Sequence, residues 1–106
     1  MKENQIMVIV KRPGEEATIE PLFDNKLEAF QNFVGGYIET VTFATDACVI
    51  CNEEWRLIGL PYNVTFCGLD LYGPIMIVGI KGDEFASVKG KAVAQLLHSL
   101  NRGENA

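Results

Sequence analysis

The sequence has few of the residues on which catalytic and metal sites usually depend. Its 106 residues include one histidine, one tryptophan and three cysteines. His98 would have to serve any Cys–His pair, but it lies near the end of a predicted helix, where a solvated or capping histidine is the simpler interpretation. Neither a P-loop nor a G-x-G-x-x-G segment follows a strand. We therefore expect no catalytic residues and no enzymatic activity.

Basic residues are also scarce. The chain has nine lysines and arginines and fourteen acidic residues, which gives a net charge of −5. This charge disfavours binding to a phosphate backbone. The acids are scattered along the chain, so dense mimicry of DNA is the less favoured alternative. The longest apolar run, residues 75–80, is too short to span a bilayer. No secretory signal is visible, so we expect a cytoplasmic protein that binds neither nucleic acid nor membrane.

The three cysteines form an odd set without a secretory context, which favours reduced thiols. Cys48 and Cys51 form a C-x-x-C segment within a predicted strand, where residues three apart point to opposite faces. That geometry suits neither a chelate nor a redox dithiol. Cys67 and His98 would complete four zinc ligands, but a second paired motif is missing. We expect buried thiols, with no metal and no cofactor.

The 48% hydrophobic content can build a core, and the length indicates one domain over residues 1–106. Hydrophobic periodicity predicts strands over 6–10, 17–20, 37–43, 47–51 and 75–80, and helices over 23–34 and 88–100. Asp24 or Asn25 is the expected cap of the first helix, and Gly35-Gly36 its stop. Residues 52–72 are expected to be irregular with at most one short edge strand, and residues 102–106 to form a frayed tail.

These elements predict an α+β fold, with a mixed, mostly antiparallel sheet of about five strands carrying two helices. Three strands are apolar on both faces, yet two short helices are expected to cover one face only. The other face then needs the 52–72 segment or a second subunit. A homodimer is therefore expected.

Glu39 is expected to share a strand face with Tyr37, Val41 and Phe43, where an unpaired carboxylate would be costly to bury. The alternative is an edge strand from which Glu39 reaches water. Trp55 can equally be an exposed binding anchor or a lid over the sheet. A pocket for a small polar ligand would combine an aromatic ring for stacking with a guanidinium for an anion. The predicted ligand-binding residues are Glu39, Trp55, Arg56, Asn63 and Tyr72.

Several turn-rich motifs, together with their order, resemble a known family. They are Val-Gly-Gly-Tyr-Ile-Glu at 34–39, Cys-Asn-Glu-Glu at 51–54, Gly-Leu-Pro-x-Asn at 59–63, Gly-Pro-Ile-Met-Ile-Val-Gly at 73–79 and Gly-Asp-Glu-Phe at 82–85. Over residues 6–100 the sequence is similar to the "domain of unknown function 3846" family of bacteria, phages and mobile elements. It departs at Trp55, where the family often continues into a turn with Gly. The resemblance implies no catalytic residues; it implies a small accessory protein of a phage or mobile element.

Three functions remain as hypotheses. The first is a non-enzymatic binding or regulatory protein that sequesters a small nucleotide-like ligand as a counter-defence factor. The second is a protein–protein inhibitor or adaptor whose acidic surface docks on a host protein. The third is a small metal- or thiol-dependent enzyme, which the missing motifs disfavour.

Overall fold

The core of the protein is an antiparallel sheet whose central strands are apolar on both faces. The computed structural model describes residues 3–102. The strands are β1 (Gln5–Lys11), β2 (Thr18–Asp24), β3 (Ile38–Ala44), β4 (Ala47–Asn52), β5 (Tyr62–Phe66), β6 (Leu69–Tyr72), β7 (Ile75–Lys81) and β8 (Glu84–Ala86). The helices are α1 (Leu27–Val34), α2 (Trp55–Ile58) and α3 (Gly90–Arg102). The predicted α+β class with a mostly antiparallel sheet is confirmed.

The main sheet has the strand order β2-β1-β7-β4-β3, and β8 pairs with the end of β7. All of these pairs are antiparallel. β4 is buried along its whole length and β7 along most of its length. Buried strands of this kind read as continuous apolar runs because neither face meets water. The sequence pattern therefore identified the central strands correctly.

Both faces of the sheet are covered by the chain itself. On one face, Phe30 and Val34 of α1 pack on Val8, Ile50 and Met76. On the other face, α3 and the β5–β6 hairpin cover the sheet. Their contacts there are Leu100, Val64, Phe66 and Leu71 against Ile9, Val49, Cys51 and Ile77.

The expectation that both helices share one face is wrong, because α1 and α3 lie on opposite faces. In the described part of the chain both faces are therefore covered, and an uncovered face gives no argument for a second subunit. A homodimer stays a prediction, and it needs another physical basis. The 52–72 segment covers part of the second face of the sheet, which is one of the two ways of burying that face that the sequence predicted.

The first helix is shorter than predicted. It begins at Leu27, and Phe23 and Asp24 instead pair with β1 as the end of β2. From its position on β2, the Phe23 ring stacks on the Phe30 ring of α1, with the two ring centroids 5.5 Å apart. Phe23 therefore has the sequence spacing of a helical apolar residue although it belongs to a strand. Lys26 occupies the N-cap position without a side-chain hydrogen bond. Asn25 does not cap the helix; its amide donates to the carbonyl oxygens of Glu3 and Phe85.

The prediction that residues 52–72 are irregular is also wrong. They contain the single-turn helix α2 and the two-stranded sheet β5–β6. Cys67 and Gly68 form the tight turn of this hairpin, and both have positive φ, 51° and 75°. A two-residue turn of this kind requires positive φ at its central positions. Cys67 is an unusual residue there, which explains why the hairpin escaped detection.

The last helix begins at Gly90 and ends at Arg102. The predicted tail therefore loses Arg102 to α3, and residues 103–106 lie outside the described part of the chain. Val88, expected in the helix, is buried before it and its amide donates to the Met7 carbonyl oxygen at 2.9 Å. Among the helices of residues 3–102, none is long and apolar enough to cross a membrane.

Candidate functional site

Two of the predicted site residues stack directly on each other. The rings of Trp55 and Tyr72 are parallel with centroids 4.2 Å apart. Tyr62, the cross-strand partner of Tyr72, meets that ring edge-on at 5.6 Å. The Arg56 guanidinium carbon lies 4.9 Å from the Trp55 ring centroid, within the range of a cation–π contact. Trp55, Arg56 and Tyr72 are thus brought together as one cluster.

The helical turn that carries Trp55 also presents apolar side chains to water. Leu57 is 82% exposed and Ile58 is 55% exposed on the same helical turn as Trp55. Tyr62 is 51% exposed. We call this surface the aromatic patch; it consists of Trp55, Arg56, Leu57, Ile58, Tyr62 and Tyr72. Exposed apolar and aromatic side chains grouped in this way are typical of interaction sites.

A buried asparagine fixes the helix that carries the patch. Asn52 accepts a hydrogen bond from the Glu54 amide at 2.7 Å and donates one to the Val34 carbonyl oxygen at 3.1 Å. It thereby joins the start of α2 to the end of α1. A Cβ atom on Gly36 would lie 3.0 Å from the Asn52 amide nitrogen, so glycine permits this close approach.

Asn63 is buried, and its side-chain amide forms hydrogen bonds within the chain. It donates to the carbonyl oxygens of Lys11 and Gly73 at 2.9 and 2.7 Å. Its oxygen accepts a hydrogen bond from the Lys11 ammonium at 3.0 Å. Burial lowers the pKa of Lys11, and the charge of Glu15 partly offsets this effect. Asn63 therefore links β1 to the hairpin, and the structure does not group it with the aromatic rings.

Glu39 is exposed, which is the alternative that the sequence left open. It lies on β3 at the edge of the sheet, directly opposite Cys51 of β4. An exposed carboxylate remains solvated and pays no burial cost. The structure does not place Glu39 among the contacts of the Trp55–Tyr72 stack.

The cysteines of the C-x-x-C segment face opposite sides of the sheet, as predicted. Cys48 packs on the α1 side and Cys51 on the α3 side. Burial raises the pKa of each thiol to about 11, and for Cys51 the charge of Glu39 adds to this effect. Such thiols are poor nucleophiles at neutral pH. Cys67 departs from the prediction of buried thiols, because it is exposed.

The remaining candidate groups are also solvated. His98 is exposed on α3, and its Nε2 atom lies 3.3 Å from a guanidinium nitrogen of Arg102, in agreement with a solvated histidine near the end of a helix. Within residues 3–102, no three His, Cys, Asp or Glu side chains gather in a way that could hold a metal ion.

A cavity of about 340 Å³ opens beside the start of α2. Its walls include Tyr37, Glu54 and Gly36. The Tyr37 carbonyl oxygen accepts a hydrogen bond from the Glu53 amide at 2.9 Å, so the cavity borders the same stretch of chain as the aromatic patch. It offers a carboxylate and a tyrosine ring, which suit a positively charged group.

The family model described as "Domain of unknown function (DUF3846)" matches residues 4–101. The protein belongs to the DUF3846 family. The match spans elements β1 to α3, so the resemblance seen in the sequence motifs is confirmed. Neither the curated proteins nor the solved structures include a match to this DUF3846 protein.

Sequence reasoning missed three residues that matter to this DUF3846 surface. Leu57 and Ile58 lie in the segment that the sequence predicts to be irregular, so no exposed helical face is expected there. The helical spacing of Trp55 and Ile58, between two glutamates and a glycine, was the available signal. Asn52 was missed as well, although it continues the buried face of Cys48 and Ile50 and so had to be a hydrogen-bonded amide.

Proposed function

We propose that this protein is a non-enzymatic docking protein that binds another protein through the aromatic patch. The proposal rests chiefly on Leu57 and Ile58, which are exposed on a helical turn beside a stacked Trp55–Tyr72 pair. Tryptophan, tyrosine and arginine are the residue types enriched among binding hot spots. All three types occur within this one surface.

Contacts within the chain hold several side chains of the patch in place before binding, which favours affinity. The Trp55 and Tyr72 rings support each other, and Asn52 holds the start of α2 from below. Side chains already fixed in position lose little conformational entropy when a partner arrives. The exposed Leu57 can then insert into a pocket on that partner.

The charges around the patch indicate the chemistry of the partner. Glu53 and Glu54 precede α2 and are exposed. The exposed Asp70 carboxylate accepts a hydrogen bond from the Thr65 hydroxyl, which also lies 2.6 Å from the Tyr62 hydroxyl. We therefore propose a partner surface with apolar side chains flanked by lysine or arginine. Association should slow at high salt, because screening removes long-range attraction.

Protein docking is favoured over sequestration of a nucleotide-like ligand. In the chain itself, Tyr72 already stacks on Trp55 and Arg56 already lies over that ring. The two groups expected to hold a small anion with an aromatic base are thus engaged with each other. If the protein acts for a phage or mobile element, it would block or redirect a host protein.

Two leucines provide a matched test. Leu57 in the patch is 82% exposed, and Leu22 on the edge strand β2 is 71% exposed. Leu57→Glu and Leu22→Glu add the same charge at similar exposure. The wild type would first be used to capture proteins from source cells. Each captured protein would be identified and purified, and its affinity for the wild type and for the two variants would be measured by calorimetry.

We expect Leu57→Glu to raise the Kd by about tenfold or more, a loss of about 1.4 kcal/mol, while Leu22→Glu stays close to the wild type. Equal effects of the two variants would count against the patch. Native mass spectrometry of the wild type after incubation with cell extract separates the alternatives. A gain of a few hundred daltons, with no captured polypeptide, would favour ligand sequestration instead.

A further inference from the structure

β3 is an edge strand whose outer backbone groups can be assigned. The Glu53 amide donates to the Tyr37 carbonyl oxygen, so these opposite residues form a hydrogen-bonded pair. Such pairs alternate along an antiparallel ladder, and the register is regular as far as Thr42. The N–H and C=O groups of Ile38, Thr40 and Thr42 therefore point away from β4. Within residues 3–102, no strand pairs with this side of β3.

The β2 edge of the sheet carries features that block pairing along the strand, and residues 38–42 of β3 carry fewer of them. On β2, Pro21 lacks an amide donor, and the pairing with β1 shifts register between Ile6 and Val8. Proline and irregular pairing are two ways in which proteins block edge-to-edge association. The five residues of β3 from 38 to 42 contain no proline, lysine or register shift. Thr40 and Thr42 are exposed there.

We propose that β3 pairs with β3 of a second copy of this chain, antiparallel and centred on Thr40. In that register Thr40 faces its own counterpart, and Ile38 faces Thr42 of the other copy. All three outward residues of each strand then take part in hydrogen-bonded pairs, which gives six hydrogen bonds across the two-fold axis. The two five-strand paths join into one continuous sheet.

The side chains favour this register over the one centred on Glu39. Centring on Thr40 sets the exposed Glu39 opposite Val41, so the two carboxylates are not directly opposed. Centring on Glu39 would pair fewer outward residues and would set the two carboxylates face to face, which destabilises a cross-strand pair. Threonine–threonine and threonine–isoleucine pairs suit a sheet surface. The edge is thus self-complementary when it is centred on Thr40.

This inference does not depend on the aromatic patch or on its partner. It also gives the dimer a new basis, since within residues 3–102 both faces of the sheet are covered and the outer side of β3 pairs with no strand. A partner protein that added a strand to β3 would compete with the second copy. The purified protein, studied alone, distinguishes these occupants.

The test is the molar mass in solution, measured by light scattering and sedimentation equilibrium from micromolar concentrations upward. We expect the wild type to reach twice the chain mass of 11.7 kDa. Thr40→Pro removes an outward amide that β4 does not use, and Thr40→Lys sets two like charges opposite each other. Both variants should be monomeric at concentrations where the wild type is dimeric. Thr18→Lys, on the exposed edge strand β2, is the matched control and should remain dimeric.

A mixture checks the register, because residue 40 is the one position that faces itself. Thr40→Lys and Thr40→Glu proteins should each be monomeric alone and should form a heterodimer when mixed. Circular dichroism verifies that each variant is folded, and the lysine variant carries the test if the proline variant is not. A wild type that stays monomeric would overturn the proposal. So would a dimer that survives both Thr40 substitutions, or one lost equally in the Thr18 variant.

Discussion

The two buried thiols should make the protein less stable as the pH rises above 8. Burial raises the pKa of Cys48 and of Cys51 from the ordinary value of 9.0 to about 11. Between these values the folded protein binds more protons than the unfolded chain, so the free energy of unfolding falls as pH increases. The effect is absent at neutral pH, where both states carry protonated thiols.

The magnitude follows from the two pKa values. At pH 10, each thiol is mostly ionised in the unfolded chain and mostly protonated in the folded one. Its contribution to the free energy of unfolding is then lower than at pH 7 by about 1.4 kcal/mol, or about 2.7 kcal/mol for both. That loss is a large fraction of the stability of a small domain, typically about 5–15 kcal/mol.

Lys11 acts in the opposite direction. Its pKa is lowered by burial from 10.5, so the folded protein releases this proton before the unfolded chain does. As the pH rises from the lowered pKa of Lys11 toward 10.5, the free energy of unfolding therefore increases. This increase partly masks the decrease caused by the thiols. Lys11→Met removes this contribution, and the slope that remains reports the thiols.

Urea unfolding at pH 7, 8, 9 and 10 under a reducing agent is the assay. We expect stability to fall with pH in Lys11→Met, and to fall much less when Cys48→Ala and Cys51→Ala are added. The alanines also create small cavities, which lower stability at every pH and leave the slope as the readout. A slope unchanged by removal of both thiols would refute the reasoning.

Three further substitutions test the scaffold by chemical or thermal unfolding. Asn52→Leu leaves the Val34 carbonyl oxygen and the Glu54 amide without their Asn52 partner, and should cost about 3 kcal/mol. A change within about 0.5 kcal/mol would count against this role. Cys67→Asn, at a positive φ beside Gly68, should stabilise the hairpin by about 0.5–1 kcal/mol, and a lower melting temperature would contradict this. Gly79→Ala would drive a Cβ into the Ser87 carbonyl oxygen, and a loss of about 3 kcal/mol is expected. A variant as stable as the wild type would show that the backbone yields there.

The local pattern was enough to identify the central strands and the α+β class. β4 and β7 are apolar at nearly every position because both their faces are buried, and such runs are visible in one dimension. The opposite orientation of Cys48 and Cys51 followed from strand alternation alone. The family could be recognised from the order of its turn motifs.

Local pattern failed where two structures share one spacing. Phe23 has helical spacing to Leu27 and Phe30, but its pairing with Ile6 makes it a strand residue. The β5–β6 hairpin was hidden because Cys67 occupies a turn position that Gly or Asn usually fills. In both cases a contact with another part of the chain outweighed the local preference.

The candidate surface shows the same division between sequence and tertiary structure. Trp55, Arg56 and Tyr72 could be selected from the sequence, since an isolated aromatic beside charges is visible there. Their assembly depends on the hairpin, which brings Tyr72 back onto Trp55 across seventeen positions of chain. Packing likewise decided that Asn63 forms a hydrogen bond with Lys11 and does not face solvent.

By itself, the sequence determined which strands are buried, that Cys48 and Cys51 point to opposite faces of their strand, and which family the chain belongs to, because these depend on local alternation and residue type. Only the tertiary structure decided that α1 and α3 cover opposite faces, that Leu57 is exposed and that one edge of β3 is open. Those properties depend on contacts between distant segments, whose energies no local pattern contains.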